Sequence, residues 1–268
     1  MNSVANPISM KTKTQPYPGT QSVLRAMSLL KVFDDEHREW SLAALAQEVG
    51  LNKTTAYRLL TALESEGMVA RRPSAETYIL GPEIVVLGGR ALRSNDLRSL
   101  AKPELEQMAA VSGETATLEI MSDEDHVLII DEVVGNHLVG SLQSLGTRWP
   151  MYATSTGIAM LAYLPEERVD AVLKRPLPAL TPKTITDTAV LRQELACIRE
   201  RGYSFVEEWL EEGLIVVGAP LFNHDERVIA AISLGAPAIR FTPDRVPEIG
   251  ELVKETAKRI SAKLGYKP

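Results

Sequence analysis

The stretch WSLAALAQEVGLNKTTAYRLLTALESEGMVARRPSAETYIL, residues Trp40–Leu80, decides the fold of the N-terminal part of the chain. Ser41 is a helix-capping residue, and Leu42, Leu45, Ala46 and Val49 follow it as one apolar stripe at helical spacing. Gly50 stands where a left-handed cap would end that helix. Asn52 then caps a second helix with apolar residues Ala56, Leu59, Leu60 and Leu63, and Gly67 stops it. Two helices around a tight turn read as a helix-turn-helix. Met68–Arg72 and Thr77–Leu80 have strand character on either side of Pro73-Ser74-Ala75-Glu76, so the spacing predicts a β-hairpin wing directly after the second helix.

The outward face of that second helix carries the functional signal. On a helical wheel Thr54, Arg58 and Thr61 lie opposite the apolar stripe, with Thr55 and Tyr57 flanking them. No carboxylate intervenes before Glu64. Hydroxyls and a guanidinium without negative charge suit a major groove, where they meet phosphates and base edges. A merely solvated helix usually mixes in acidic residues early. The candidate DNA-binding residues are therefore Ser41, Asn52, Lys53, Thr54, Thr55, Tyr57, Arg58 and Thr61, with Arg71 and Arg72 on the wing. An Arg-Arg pair on a hairpin can equally be solvated; its place after this helix favours a role on the duplex.

Outward from this segment, residues 1–20 hold three prolines, two lysines and scattered polar residues, and read as a flexible basic arm. A helix begins near Val23, with Met27, Leu30 and Phe33 on its stripe. The winged helix-turn-helix domain spans 21–81, and a linker helix with Ile84, Val85, Leu87 and Leu92 spans 82–95. An effector-binding and oligomerisation domain follows over 96–268. There Glu114–Met121, His126–Val134, His137–Leu142, Tyr203–Glu208, Ile215–Phe222 and Val228–Gly235 read as strands. Trp149-Pro150 ends a loop, and helices follow at Ala153–Tyr163, after Pro165, from Asp187 to Arg201 and from Pro243 to Leu264. The fold class is α+β: a winged helix-turn-helix domain, a linker helix, and a GAF/PAS-like domain with a six-stranded, mostly antiparallel sheet.

Composition bounds the rest. The chain has 268 residues, a net charge of −6 and 45% hydrophobic residues, an ordinary globular make-up that excludes fibrous and disulfide scaffolds. The charge is uneven. Residues 1–80 hold nine Lys and Arg against eight Asp and Glu, so the acidic excess lies downstream. The single cysteine, Cys197, can form neither an intrachain disulfide nor a zinc site alone and suits a reducing compartment. No apolar run approaches the ~20 residues of a membrane span. A cytoplasmic location is expected, with no membrane partner.

No Walker loop, G-x-S-x-G elbow, dinucleotide fingerprint or H-E-x-x-H occurs, and the four histidines are dispersed. No catalytic residue, cofactor or metal site is expected, and the chain does not read as an enzyme. Ser155, Thr156 and Gly157 open a small-residue helix, Glu207 ends a strand and Ser233 lies in another. Small hydroxyl residues among Met151, Val216 and Leu234 suit a pocket for a small organic acid or related metabolite. Equally, these hydroxyls could cap helices and satisfy backbone groups. A metabolite-processing enzyme with a winged interaction module and a ligand-independent DNA binder are the alternatives.

The ordered blocks SVLRAMSLLKVF, SLAALAQEVGLNKTTAYRLLTALESEGMV and YILG, then GTRWPMYATSTGIAMLA, IRERGYSFVEEWLEEGL and GAPLFNHDERVIAAISLGAP, resemble the isocitrate-lyase-regulator (IclR) family of bacterial transcription factors. The resemblance runs from Ser22 to Lys263. It implies a homodimer or dimer of dimers on double-stranded, pseudo-palindromic operator DNA. It also implies a C-terminal domain that binds a small effector, often a carboxylate or aromatic metabolite. By position it makes Asn52–Thr61 the recognition helix and Arg71 and Arg72 the wing. It puts Met151, Ser155, Thr156, Val216 and Ser233 in the effector pocket, with the acidic stretch around Val206 and Glu207 as a further pocket segment. Ser155 and Thr156 are larger than the residues of members that bind small keto acids, and Val206 and Val216 replace polar residues.

Overall fold

Caps and breakers divide the N-terminal unit into the elements that its sequence dictates. The computed structural model describes residues 19–34, 36–137 and 145–267, and the chain separates into two compact units at Ser94/Asn95. The first unit contains α1 (Gln21–Lys31), β1 (Trp40–Ser41), α2 (Leu42–Glu48), α3 (Lys53–Ser65), β2 (Val69–Arg72), β3 (Thr77–Leu80) and α4 (Pro82–Arg93). Ser41 Oγ accepts the Ala44 N–H at 3.2 Å and Asn52 Oδ1 accepts the Thr55 N–H at 2.8 Å, so both helix starts are capped as expected. Gly50 adopts φ +65°, which lets the Leu51 N–H return to the Ala46 carbonyl at 2.8 Å and turns the chain between α2 and α3. Leu29, Leu45, Leu60, Leu63, Val69 and Tyr78 form one buried cluster that ties α1, α2 and α3 to the hairpin. The hairpin gains a short third strand, in the order β1-β3-β2, with Arg71 opposite Tyr78.

The second unit contains α5 (Asp96–Ser112), β4 (Thr115–Met121), β5 (His126–Val133), β6 (Arg148–Pro150), a 3-10 turn at Met151–Ala153, α6 (Ser155–Leu161), α7 (Glu166–Leu173) and α8 (Thr188–Arg201). Then come β7 (Ser204–Glu207), β8 (Leu214–Phe222), β9 (Val228–Pro237) and α9 (Val246–Lys263). The strands form a six-stranded sheet in the order β6-β5-β4-β9-β8-β7, and every pairing is antiparallel. The sixth strand among the described residues is Arg148–Pro150, which the sequence reading assigned to a loop; it pairs with His126–Leu128. The strand expected over His137–Leu142 lies outside the described residues apart from His137, which stands in a bend. Nearly every residue of β4, β8 and β9 is buried, so both faces of the sheet are covered. α6 packs on β8 and β9, while α5 and α9 pack on each other and against β4 and β8.

Candidate nucleic-acid interface and the buried cleft of the second unit

In the first unit, burial of Ala56, Leu60 and Leu63 turns the opposite side of α3 to solvent. Lys53, Thr54, Tyr57, Arg58 and Thr61 are all exposed, while Thr55 is half-buried behind its cap. Among the described residues neither Lys53 nor Arg58 has an acidic partner. Tyr57 is 49% exposed. The Thr61 hydroxyl donates back to the Tyr57 carbonyl at 2.9 Å, which leaves its oxygen free to accept only. Ser41, Lys53, Tyr57 and Arg71 come together around one concave surface, with Tyr78 as its floor and Glu76 on its rim.

The two wing arginines are not equivalent. Neighbouring residues of a strand point to opposite faces. Arg71 faces the α3 side. Arg72 instead forms an ion pair with Glu39, whose other oxygen accepts the Thr77 hydroxyl at 3.1 Å. Arg71→Ala is therefore expected to weaken binding to every duplex and to lower the salt slope by about 1, whereas Arg72→Ala lowers it by less. Binding titrations across a KCl series check this; a larger slope change for Arg72 would contradict it.

In the second unit, a buried cleft lies between the start of α6 and the sheet, with walls from β4, β6, β7 and β8. Its walls are Glu119, Trp149, Ala153, Thr154, Ser155, Thr156, Val206, Leu210 and Val216. The cavity volume is about 20 Å³, room for about one or two water molecules. Of the expected pocket residues, Ser155, Thr156 and Val216 line it directly. Ser233 stands two hydrogen bonds behind: its hydroxyl lies 2.7 Å from that of Thr117, which donates to Glu119. Met151 is fully buried in the 3-10 turn but is not part of the cleft wall. Glu207 points away and pairs with Lys183 at 2.5 Å, and its neighbour Val206 takes the inward position.

The residue that sequence reading missed is Glu119. It is 2% exposed, on a strand whose other residues from Thr115 to Ile120 are also buried. Thr156 donates to Oε2 at 2.6 Å and Thr117 to Oε1 at 3.0 Å. Loss of solvent pushes its carboxyl up to about 7, and the two hydroxyl hydrogen bonds oppose the rise without cancelling it. The signal was present as a lone carboxylate inside the run TATLEIM, but its second partner, Thr156, comes from a remote segment. A carboxyl whose folded pKa is raised binds its proton more tightly in the native state. Stability therefore falls as pH rises from about 4.5 to about 7 and stays reduced above that, by on the order of 3 kcal/mol. Glu119→Gln is expected to remove most of this slope and to be more stable than wild type at pH 8. Urea unfolding at pH 5 and pH 8 measures it; an unchanged slope in the variant would contradict the assignment.

One group of potential metal ligands occurs among the described residues, Asp123, Asp125 and His126. His126 Nδ1 already lies 3.1 Å and 3.0 Å from the two carboxylates, and Arg175 pairs with Asp125 and Glu124. These carboxylates are therefore already engaged by the His126 ring and the Arg175 guanidinium. No described helix is long and apolar enough to cross a membrane.

A capped recognition-type helix with a basic wing, followed by a sheet domain with an internal polar cleft, defines the class of two-domain DNA-binding transcriptional regulators. The IclR helix-turn-helix domain matches residues 22–73, and the bacterial transcriptional regulator IclR C-terminal domain matches residues 89–262. The chain belongs to the IclR family of bacterial transcriptional regulators. It is 34% identical over 255 residues to the transcriptional repressor IclR of Escherichia coli strain K12, covering 94% of this chain and 93% of that protein. An IclR transcriptional regulator from Alicyclobacillus acidocaldarius has a similar crystal structure, with a TM-score of 0.82, 33% identity and coverage of 90% and 97%. An IclR homologue from Microbacterium hydrocarbonoxydans, solved in complex with 4-hydroxybenzoate, superposes with a TM-score of 0.77 at 26% identity and coverage of 91% and 99%.

Proposed function

We propose that this protein is an effector-responsive regulator in which two copies hold their α3 helices in successive major grooves of a pseudo-palindromic operator. The observation that carries this reading is the outward face of α3. Lys53, Thr54, Tyr57, Arg58 and Thr61 are exposed, and no carboxylate stands among them. Arg71 adds a backbone contact from the wing, and the Ser41 hydroxyl, which accepts a capping bond, keeps its proton to donate to a phosphate.

Pairing is supported by apolar surface with no cover in one chain. Val23, Leu24 and Met27 on α1 are exposed, as are Val85, Val86 and Leu87 on α4, a helix with no buried residue at all. Helices of this kind bury their apolar faces against another copy or leave an aggregation-prone surface. A homodimer through these faces, able to pair again as a dimer of dimers, sets two recognition helices about one DNA turn or a multiple apart.

The cleft under α6 is the effector site in this reading, and the Microbacterium homologue solved in complex with 4-hydroxybenzoate supports a small-molecule ligand for a protein of this fold. A ligand there changes operator affinity only through unequal affinity for the DNA-competent and incompetent states. The regulator carries out no reaction and works in the cytoplasm. A gel-shift assay on the DNA upstream of its own gene, with and without a panel of small metabolites, tests the proposal. A discrete shift altered by at least one compound is expected; equal retention of random duplex, unaffected by every compound, would overturn it.

A further inference from the structure

The cleft's own chemistry narrows its ligand, on the reading that the cleft is the effector site. Each oxygen of Glu119 accepts one hydroxyl hydrogen bond and has a further acceptor position left. No lysine, arginine or histidine lines the cleft among the described residues; its other walls are one indole, small hydroxyls and aliphatic groups. The indole N–H of Trp149, a wall residue, is buried without a partner and calls for an acceptor on another part of the ligand than an ammonium group. The helix α6 has only seven residues, so its start supplies little positive potential for an anion. A buried carboxylate without a counter-charge repels a second carboxylate and attracts a cation.

We propose that the cleft takes a small amine, held through its ammonium group by the carboxylate of Glu119, in place of an acid held through a carboxylate. An ammonium group has three donors and no acceptor, which matches the open acceptor positions on Glu119. It also supplies a counter-charge in place of the solvent that burial has removed. The cavity of about 20 Å³ admits only such a head group, so the attached chain must push aside Val206, Leu210 or Val216. Those residues lie on or between β7 and β8, which gives the ligand a way to move the sheet edge. The groups facing Glu119 are Ile129 of β5 and Ala231 of β9 by register, Thr117 on its own strand and Thr156 on α6. None of them titrates, so the pH response of amine binding belongs to Glu119.

The test is calorimetric titration of the full-length protein with n-propylamine, n-propanol and propionate, for wild type and Glu119→Gln. At pH 8 propylamine is expected to bind at least about tenfold more tightly than propionate, and Glu119→Gln to lose about tenfold for the amine alone. In wild type, amine affinity should fall about tenfold between pH 8 and pH 6 as Glu119 takes up its proton. This arm needs no variant and stands even where Glu119→Gln fails to fold. Propionate binding as tightly as propylamine, no binding by any probe, or a flat pH response would overturn the proposal. Operator affinity is measured on the same samples. Propionate that binds and shifts operator affinity sinks the amine but keeps the effector reading. Propylamine that binds without altering operator affinity does the reverse.

Discussion

Arg58→Ala is expected to cost operator binding about 1–3 kcal/mol per half-site, and so about 2–6 kcal/mol for a pair of protomers, if the guanidinium reads a guanine edge. Arg58 stands one turn after Thr54 and one turn before Thr61 on the exposed face of α3. It has no carboxylate partner among the described residues, so its donors are available to a ligand from outside the chain. A bidentate contact needs the planar fork of arginine; Arg58→Lys should keep the phosphate attraction but recover little of the specific term. On random duplex both variants should lose only the Coulomb share of one charge per protomer. Fluorescence anisotropy on operator and random duplexes at one salt concentration separates the two terms. Equal losses on both duplexes would move Arg58 from base reading to backbone contact.

Gly157→Ala is expected to destabilise the second unit by about 3 kcal/mol or more, the upper end of overpacking effects. A Cβ at this position would lie 2.2 Å from the Met151 carbonyl oxygen and 2.5 Å from Thr154 Oγ1. Two of the three nearest atoms are backbone, and Thr154 Oγ1 is the cap that accepts the Gly157 N–H at 3.1 Å. Rotating the Thr154 side chain would relieve only one of the three contacts and would break the cap. The start of α6 must move instead, taking Ser155 and Thr156 out of the cleft. A melting temperature about 6–12 °C lower is expected for a unit of this size. Gly88→Ala is the matched control. Nothing lies within 4 Å of a Cβ there, and the position is an exposed site on α4, so stability should rise by up to about 1 kcal/mol. Similar melting temperatures for the two variants would show that the close approach at Gly157 is relieved easily.

The N-terminal unit was legible because its determinants are local. Ser41 and Asn52 cap helices within three residues of themselves, and Gly50 needs only its own φ. The apolar stripes of α2 and α3 follow a period that the sequence displays directly. In the second unit the long strands and α8 with its Asp187 cap were equally legible. What escaped depends on contacts distant in sequence. Arg148–Pro150 is three residues long and contains proline, and only its pairing with His126–Leu128 makes it a strand. Arg72 reads as a free wing cation until Glu39, 33 residues earlier, is brought beside it. Glu119 draws its hydroxyl partner from α6, 37 residues on, and is linked through Thr117 to Ser233, 116 residues beyond that threonine. The position of Glu207 was within reach, since β7 buries Ser204 and Val206 alternately and leaves Glu207 on the outer face.

In the proposed function the outward face of α3 reads bases while a second copy does the same nearby. Selection of binding sites from a random duplex pool, run with wild type and with Arg58→Ala, tests both halves of this reading at once. Wild type should enrich a motif of two inverted half-sites whose centres lie about one helical turn or a multiple apart. Arg58→Ala should relax the same base position in both halves and leave the spacing intact. A pool without inverted symmetry, or an identical motif from both proteins, would contradict it.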